Sequence, residues 1–100
     1  MPIIKLFGLT FEWHDSKFEL VHSKRGITLD EASSIFFDSN VIDSEDIGDY
    51  GEQRIISLGM SNKGRLLAVV WTQRDETIRI ITAYFPSKHQ QKEYGNATRY

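Results

Sequence analysis

The chain has 100 residues, 40% of them hydrophobic and 26% charged, with a formal net charge of −2. This suits one α+β-sized globular domain, 1–100, with a modest core, and excludes a disordered or fibrous chain. It has no cysteine, which excludes disulfides and thiolate metal sites. The run Ile3-Ile4-Lys5-Leu6-Phe7 is too short and interrupted for a secretory core or a membrane span, so a cytoplasmic protein with no membrane contact is expected.

Thr10–Trp13 reads as a short strand. Asp15 is placed to cap a helix running to about Lys24, and Gly26 stands where a left-handed residue ends one. Thr28-Leu29-Asp30-Glu31 is a capping box: the Thr28 hydroxyl takes the Glu31 amide proton, and the Glu31 side chain reaches back to the N-cap amide. Leu29, Ala32 and Phe36 follow at helical spacing to about Asp38. Val41–Asp49 is an acidic connection with room for a brief strand.

The pattern then turns to strands. Arg54–Met60 is the first, and Ser61-Asn62-Lys63-Gly64 is turn chemistry. Leu66–Thr72 is apolar on both faces, as a covered central strand would be. Arg74-Asp75-Glu76 makes a second turn into Thr77–Phe85, and these short connections predict antiparallel hairpins. Pro86 ends that strand. Ser87-Lys88-His89-Gln90 is a second capping box, opening a helix to Tyr94 that Gly95 stops, with 96–100 as a frayed tail. Helices grouped before the strands, with one after them, predict an α+β fold.

These motifs together resemble the BrnT family of type II toxin–antitoxin ribonuclease toxins. The resemblance runs from Phe11-Glu12-Trp13 and Lys17 through Lys24-Arg25-Gly26-Ile27-Thr28-Leu29-Asp30-Glu31-Ala32, Phe36-Phe37-Asp38 and Glu52-Gln53-Arg54. It is sharpest in Gly64–Thr72 and Arg79-Ile80-Ile81-Thr82-Ala83, and closes at Lys92-Glu93-Tyr94. It departs at His14, Val21, Arg25 and Tyr84, and residues 1–10 are an extension beyond the family's usual start. The resemblance implies a RelE-like fold, N-terminal helices packed on an antiparallel sheet with a short C-terminal helix. It implies RNA cleavage with no metal and no cofactor. It also implies an antitoxin with a ribbon-helix-helix DNA-binding domain, DNA being met only through that complex.

The residues themselves supply the matching chemistry. Residues 1–50 carry 4 Lys/Arg and 10 Asp/Glu, a balance of −6, whereas residues 51–100 carry 8 and 4, a balance of +4. A basic half can face a polyanion, but four excess charges is modest and solvated surfaces account for it better on charge alone. Cutting RNA requires cations at a phosphate and groups that move a proton. Arg79 lies on an otherwise apolar strand, where its fork would hold two phosphate oxygens or pair with Glu76 or Glu52. Lys63 and Arg65 flank Gly64 at a hairpin; Arg54 opens a strand beside Glu52, itself a candidate base. Tyr84, Tyr94 and Lys88 are candidate substrate-binding residues, the tyrosines as stacking or proton-donating groups. The alternative is a non-catalytic module that binds the DNA-binding partner, motivated by Tyr84 where the family pattern has a second arginine. A third possibility is a metal-dependent hydrolase built on Asp43, Glu45, Asp46 and Asp49, which show no recognised metal-loop spacing.

Overall fold

A computed structural model of the chain describes residues 3–6, 8–13, 21–46, 48 and 51–97. The strands are β1 (Ile3–Leu6), β2 (Leu9–Trp13), β3 (Ile42–Asp46), β4 (Arg54–Met60), β5 (Leu66–Arg74) and β6 (Thr77–Tyr84). Residues 21–25 are helical (α1). They are followed by α2 (Leu29–Ser34), a 3-10 turn (Ile35–Phe37) and, after the sheet, α3 (Lys88–Ala97).

All six strands form one sheet in the order β1-β2-β6-β5-β4-β3. Neighbours are antiparallel except β2 and β6, which run parallel. The expected antiparallel sheet is therefore mixed. Strands joined by tight turns must be antiparallel, whereas a parallel neighbour needs a long crossover. Here the crossover is everything between β2 and β6. The first ten residues are also more than an extension: Ile3–Leu6 pair with β2 and form an edge of the sheet.

Local signals decide where most elements start and stop. Gly26, at φ +68°, ends α1 through a bond from its amide to the His22 carbonyl. The Asp15 cap proposed for that helix lies outside the described residues. Thr28 caps α2, accepting from the Glu31 amide at 3.1 Å. Ser87 and Gln90 make both bonds of the second capping box. Gly95 does not stop α3, which continues to Ala97. A glycine ends a helix by taking a left-handed φ, and Gly95 is not among the positive-φ glycines. No helix among the described residues is long and apolar enough to cross a membrane.

The helices between β2 and β3 cover one face of the sheet. There Phe11, Trp13, Ile27, Leu67, Val69, Ile78 and Ile80 pack with Ala32 and Ile35. Phe36 lies between Phe11 and Trp71, with ring centroids 5.2 and 5.4 Å away. Removing a fully buried side chain such as Phe11 would cost about 3–5 kcal/mol. The opposite face carries Leu58, Ala68 and Tyr84 in one cross-strand row. The Tyr84 hydroxyl meets Gln90 of α3, so α3 lies over that end.

β6 contains an irregularity with consequences for the site. Val70 pairs with Thr82, but the next residue, Trp71, pairs with Ile80. Ile81 is the extra residue of a β-bulge, which shifts the alternation of the strand by one. Ile78, Ile80 and Ala83 thus all join the helix-covered core, while Arg79 and Thr82 share the other face.

Gly59 of β4 is where the 3-10 turn presses on the sheet. A Cβ there would stand 2.9 Å from Ile35 Cβ and 3.0 Å from the Ile35 carbonyl oxygen. Gly59→Ala is expected to destabilise the fold by about 2 kcal/mol through overpacking, read as a lower urea midpoint.

Candidate functional site

The second face of the sheet holds a row of charged side chains across four strands. Glu12 of β2 pairs with Arg79 of β6, and Arg79 pairs with Thr72 of β5. Ile55 pairs with Trp71, which puts Arg54 beside Thr72, and Arg54 pairs with Asp46 of β3. Arg79 and Arg54 therefore flank Thr72, with their backbones about 10 Å apart at the usual strand spacing.

Ion pairs organise this row. Arg79 Nε lies 3.9 Å from Glu12 Oε1, both side chains being largely covered. Arg54 Nε donates to Glu52 Oε2 at 3.4 Å, and Arg74 Nη2 lies 3.9 Å from the other Glu52 oxygen. Three guanidinium groups and two glutamates thus share one end of the face. The Thr72 hydroxyl is tied to the Gln53 carbonyl at 2.8 Å, which fixes the floor between the arginines. Beside Glu52 is a cleft of about 380 Å³ lined by Gln53, Ile55, Trp71, Thr72 and Gln73. Guanidinium forks at this spacing suit phosphate oxygens.

Residues 13–89 match the profile of a family described as ribonuclease toxin, BrnT, of type II toxin-antitoxin system. The chain belongs to this BrnT toxin family. No curated protein matches it significantly. Membership in a type II system implies an antitoxin protein as partner, and the family is one of ribonucleases.

Of the residues singled out in the sequence, Arg79, Arg54 and Glu52 come together. The carboxylate beside Arg79 is Glu12, not Glu76 or Glu52. Glu12 entered the sequence reading only within the Phe11-Glu12-Trp13 motif, because its place beside Arg79 depends on the parallel pairing of β2 with β6. Arg74 joins the group through Glu52 and was read only as turn material. Lys63 and Arg65 are elsewhere, in the β4–β5 hairpin, about 20 Å along β5 from Thr72. Tyr84 and Lys88 stand at the α3 end of the second face. The acidic stretch is divided by strand alternation, since Asp43 and Glu45 pair with Ser57 and Ile55 on the helix-side face and Asp46 pairs with Arg54 on the other. Asp49 lies outside the described residues.

Arg65 belongs to a different arrangement. Glu31 is completely buried, and instead of reaching back to the N-cap it turns inward to Arg65 and Ser61. Arg65 donates to both carboxylate oxygens, and also to the Gly26 carbonyl at 3.2 Å. The Arg65 hydrogen bonds hold the Glu31 carboxyl below its ordinary range, against the opposing effect of burial; Ser61 and the charges of Arg65 and Lys63 add to the lowering. This pair ties α2 and the α1–α2 turn to the hairpin. Phe85 packs under the same guanidinium, 5.3 Å from its ring centroid.

Tyr94 is similarly occupied, donating to Asp38 Oδ2. Burial, then the Asp38 carboxylate, pushes its hydroxyl up to about 12. Burial alone would raise Asp38, but bonds from the Met60 amide, the Tyr94 hydroxyl and the Asn40 amide outweigh it and lower it.

Arg65→Ala would leave a buried carboxylate without its main partner and is expected to cost about 3 kcal/mol, where Arg54→Ala, losing a more exposed pair, costs under about 1 kcal/mol. Chemical denaturation of the two variants checks this. Because the Glu31 carboxyl is lowered on folding, its stabilisation is present above about pH 4.5, the ordinary value, and is lost as pH falls through the lower folded value. The stability gap between the natural chain and Glu31→Gln should accordingly be constant near neutrality and close in acid.

Proposed function

We propose that this chain is an endoribonuclease toxin whose active surface is the Glu12–Arg79–Thr72–Arg54 row with Glu52 and Arg74. The observation that carries the reading is the convergence of three arginines and two glutamates on one end of a sheet face, in a chain of a ribonuclease toxin family. The order of helices, sheet and C-terminal helix supports a RelE-like assignment.

The reaction needs no covalent intermediate with the protein. The ribose 2′-oxygen attacks the adjacent phosphorus while its proton passes to a carboxylate. The bond from phosphorus to the 5′-oxygen breaks, and that oxygen takes a proton from water or a nearby donor. The products are a 2′,3′-cyclic phosphate and a 5′-hydroxyl end. Arg79 and Arg54 hold the non-bridging oxygens as charge builds on them. Glu12, beside Arg79, is the proton acceptor; Glu52 holds Arg54 and Arg74 in place. Lys88 and Tyr84 line the exit toward α3. A cytoplasmic ribbon-helix-helix antitoxin would neutralise the enzyme and carry it to DNA.

Purified protein should cleave RNA in the presence of EDTA and leave cyclic phosphate ends. Arg79→Ala should lower kcat by about 10²–10³, and Glu12→Gln by about 10²–10⁴, with unchanged thermal stability. Cleavage abolished by EDTA would overturn the metal-independent route. RNA left intact by a folded protein that still binds its antitoxin would favour the non-catalytic module.

A further inference from the structure

We infer that Arg25 is a second anchor for the RNA backbone, reaching β6 beyond Arg79 and beside Thr82; this rests on the ribonuclease reading above. Arg25 is the last residue of α1. The chain after it is fixed: Gly26 turns at φ +68°, its amide bonds the His22 carbonyl, and its carbonyl accepts from Arg65. The side chain then reaches β6. Its Nη1 donates to the Ala83 carbonyl at 3.0 Å and to the Thr82 hydroxyl at 3.4 Å. Among the described residues the β2–β6 register runs to Trp13 with Ile80, and Arg25 meets β6 two and three residues farther on, at Thr82 and Ala83.

Three features make this more than a structural clamp. The first is position. The bulge at Ile81 puts Thr82 on the same face as Arg79, about 10 Å farther along the strand. A backbone held at Arg79 and continuing toward Tyr84 and Lys88 passes Thr82. The second is charge. Arg54, Arg65, Arg74 and Arg79 are each ion-paired with a glutamate. Among the described residues the partners of Arg25 are a carbonyl and a hydroxyl, both neutral, so its charge remains available to a polyanion. The third is geometry. Both bonds use Nη1 and the residue is exposed. The Nε–Nη2 edge of the fork is then the one that takes two phosphate oxygens.

The anchor is a positioning contact on the chain beyond the scissile phosphate. Removing it should raise KM with little change in kcat, because the contact is equal in ground and transition states.

The test measures binding of a 2′-O-methyl oligoribonucleotide, which cannot be cleaved, by fluorescence anisotropy over a range of salt. Arg25→Gln keeps a donor for the Ala83 carbonyl and removes the charge; Arg25→Lys keeps the charge. The inference expects Arg25→Gln to reduce the slope of log K against log salt by about 0.7, one single-strand phosphate contact, and Arg25→Lys to retain it. If Arg25→Gln lowers the melting temperature yet leaves the slope and KM unchanged, Arg25 is only a clamp and the inference is overturned. Cleavage by Arg79→Ala separates the two claims. Lost cleavage there, with an unchanged slope in Arg25→Gln, overturns the anchor alone; full cleavage there overturns the active-surface reading and the anchor with it.

Discussion

Everything on the second face depends on how β6 alternates. A regular strand sends residues three apart to opposite faces. Ile81 breaks that rule, and the strand serves two surfaces with different demands. Ile78, Ile80 and Ala83 all turn toward the helices, where the core closes over them. Arg79 and Thr82 both turn away, onto the face that carries the ion pairs. Without the extra residue, either Ala83 would leave the core or Thr82 would enter it.

The cations fall into two systems with opposite physics. Arg65 compensates a carboxylate that is fully out of water, and its contacts join three parts of the chain: the α1–α2 turn, α2 and the β4–β5 hairpin. Its charge is committed to the fold. Arg54, Arg74 and Arg79 sit against partly covered glutamates at distances of 3.4–3.9 Å. Looser pairs of this kind can exchange partners with a phosphate at modest cost, since the carboxylates stay within reach of solvent.

Much of the local architecture was legible because it is written in short-range chemistry. The Ser87–Gln90 box, the Thr28 cap, the Gly26 terminus and the β4, β5 and β6 strands need only a few neighbouring residues to be recognised. The errors lie where distant segments compete for a group. Glu31 fits a capping box on paper, but it is buried, and the Arg65 guanidinium binds it more strongly than an exposed amide would. Gly95 looks like a stop, yet a glycine breaks a helix only when the chain turns there. Ile3–Leu6 lies outside the family match and was not read as a strand, because an edge strand is recognised only beside its partner.

The candidate site divides in the same way. Residue types marked Arg79, Arg65, Lys63, Arg54 and Glu52 as candidates, because guanidinium, amine and carboxylate chemistry is intrinsic to the side chains. Which of them meet, and that Glu12 stands beside Arg79, was decided by the parallel β2–β6 pairing and the order of the strands. Both bring together residues far apart in the chain, and no local pattern encodes such a pairing: its stability comes from burying Phe11 and Trp13 against Ile78 and Ile80. The sequence by itself thus determined the family, the elements and the chemical alphabet of the site, while the packing of the sheet decided which letters stand next to each other.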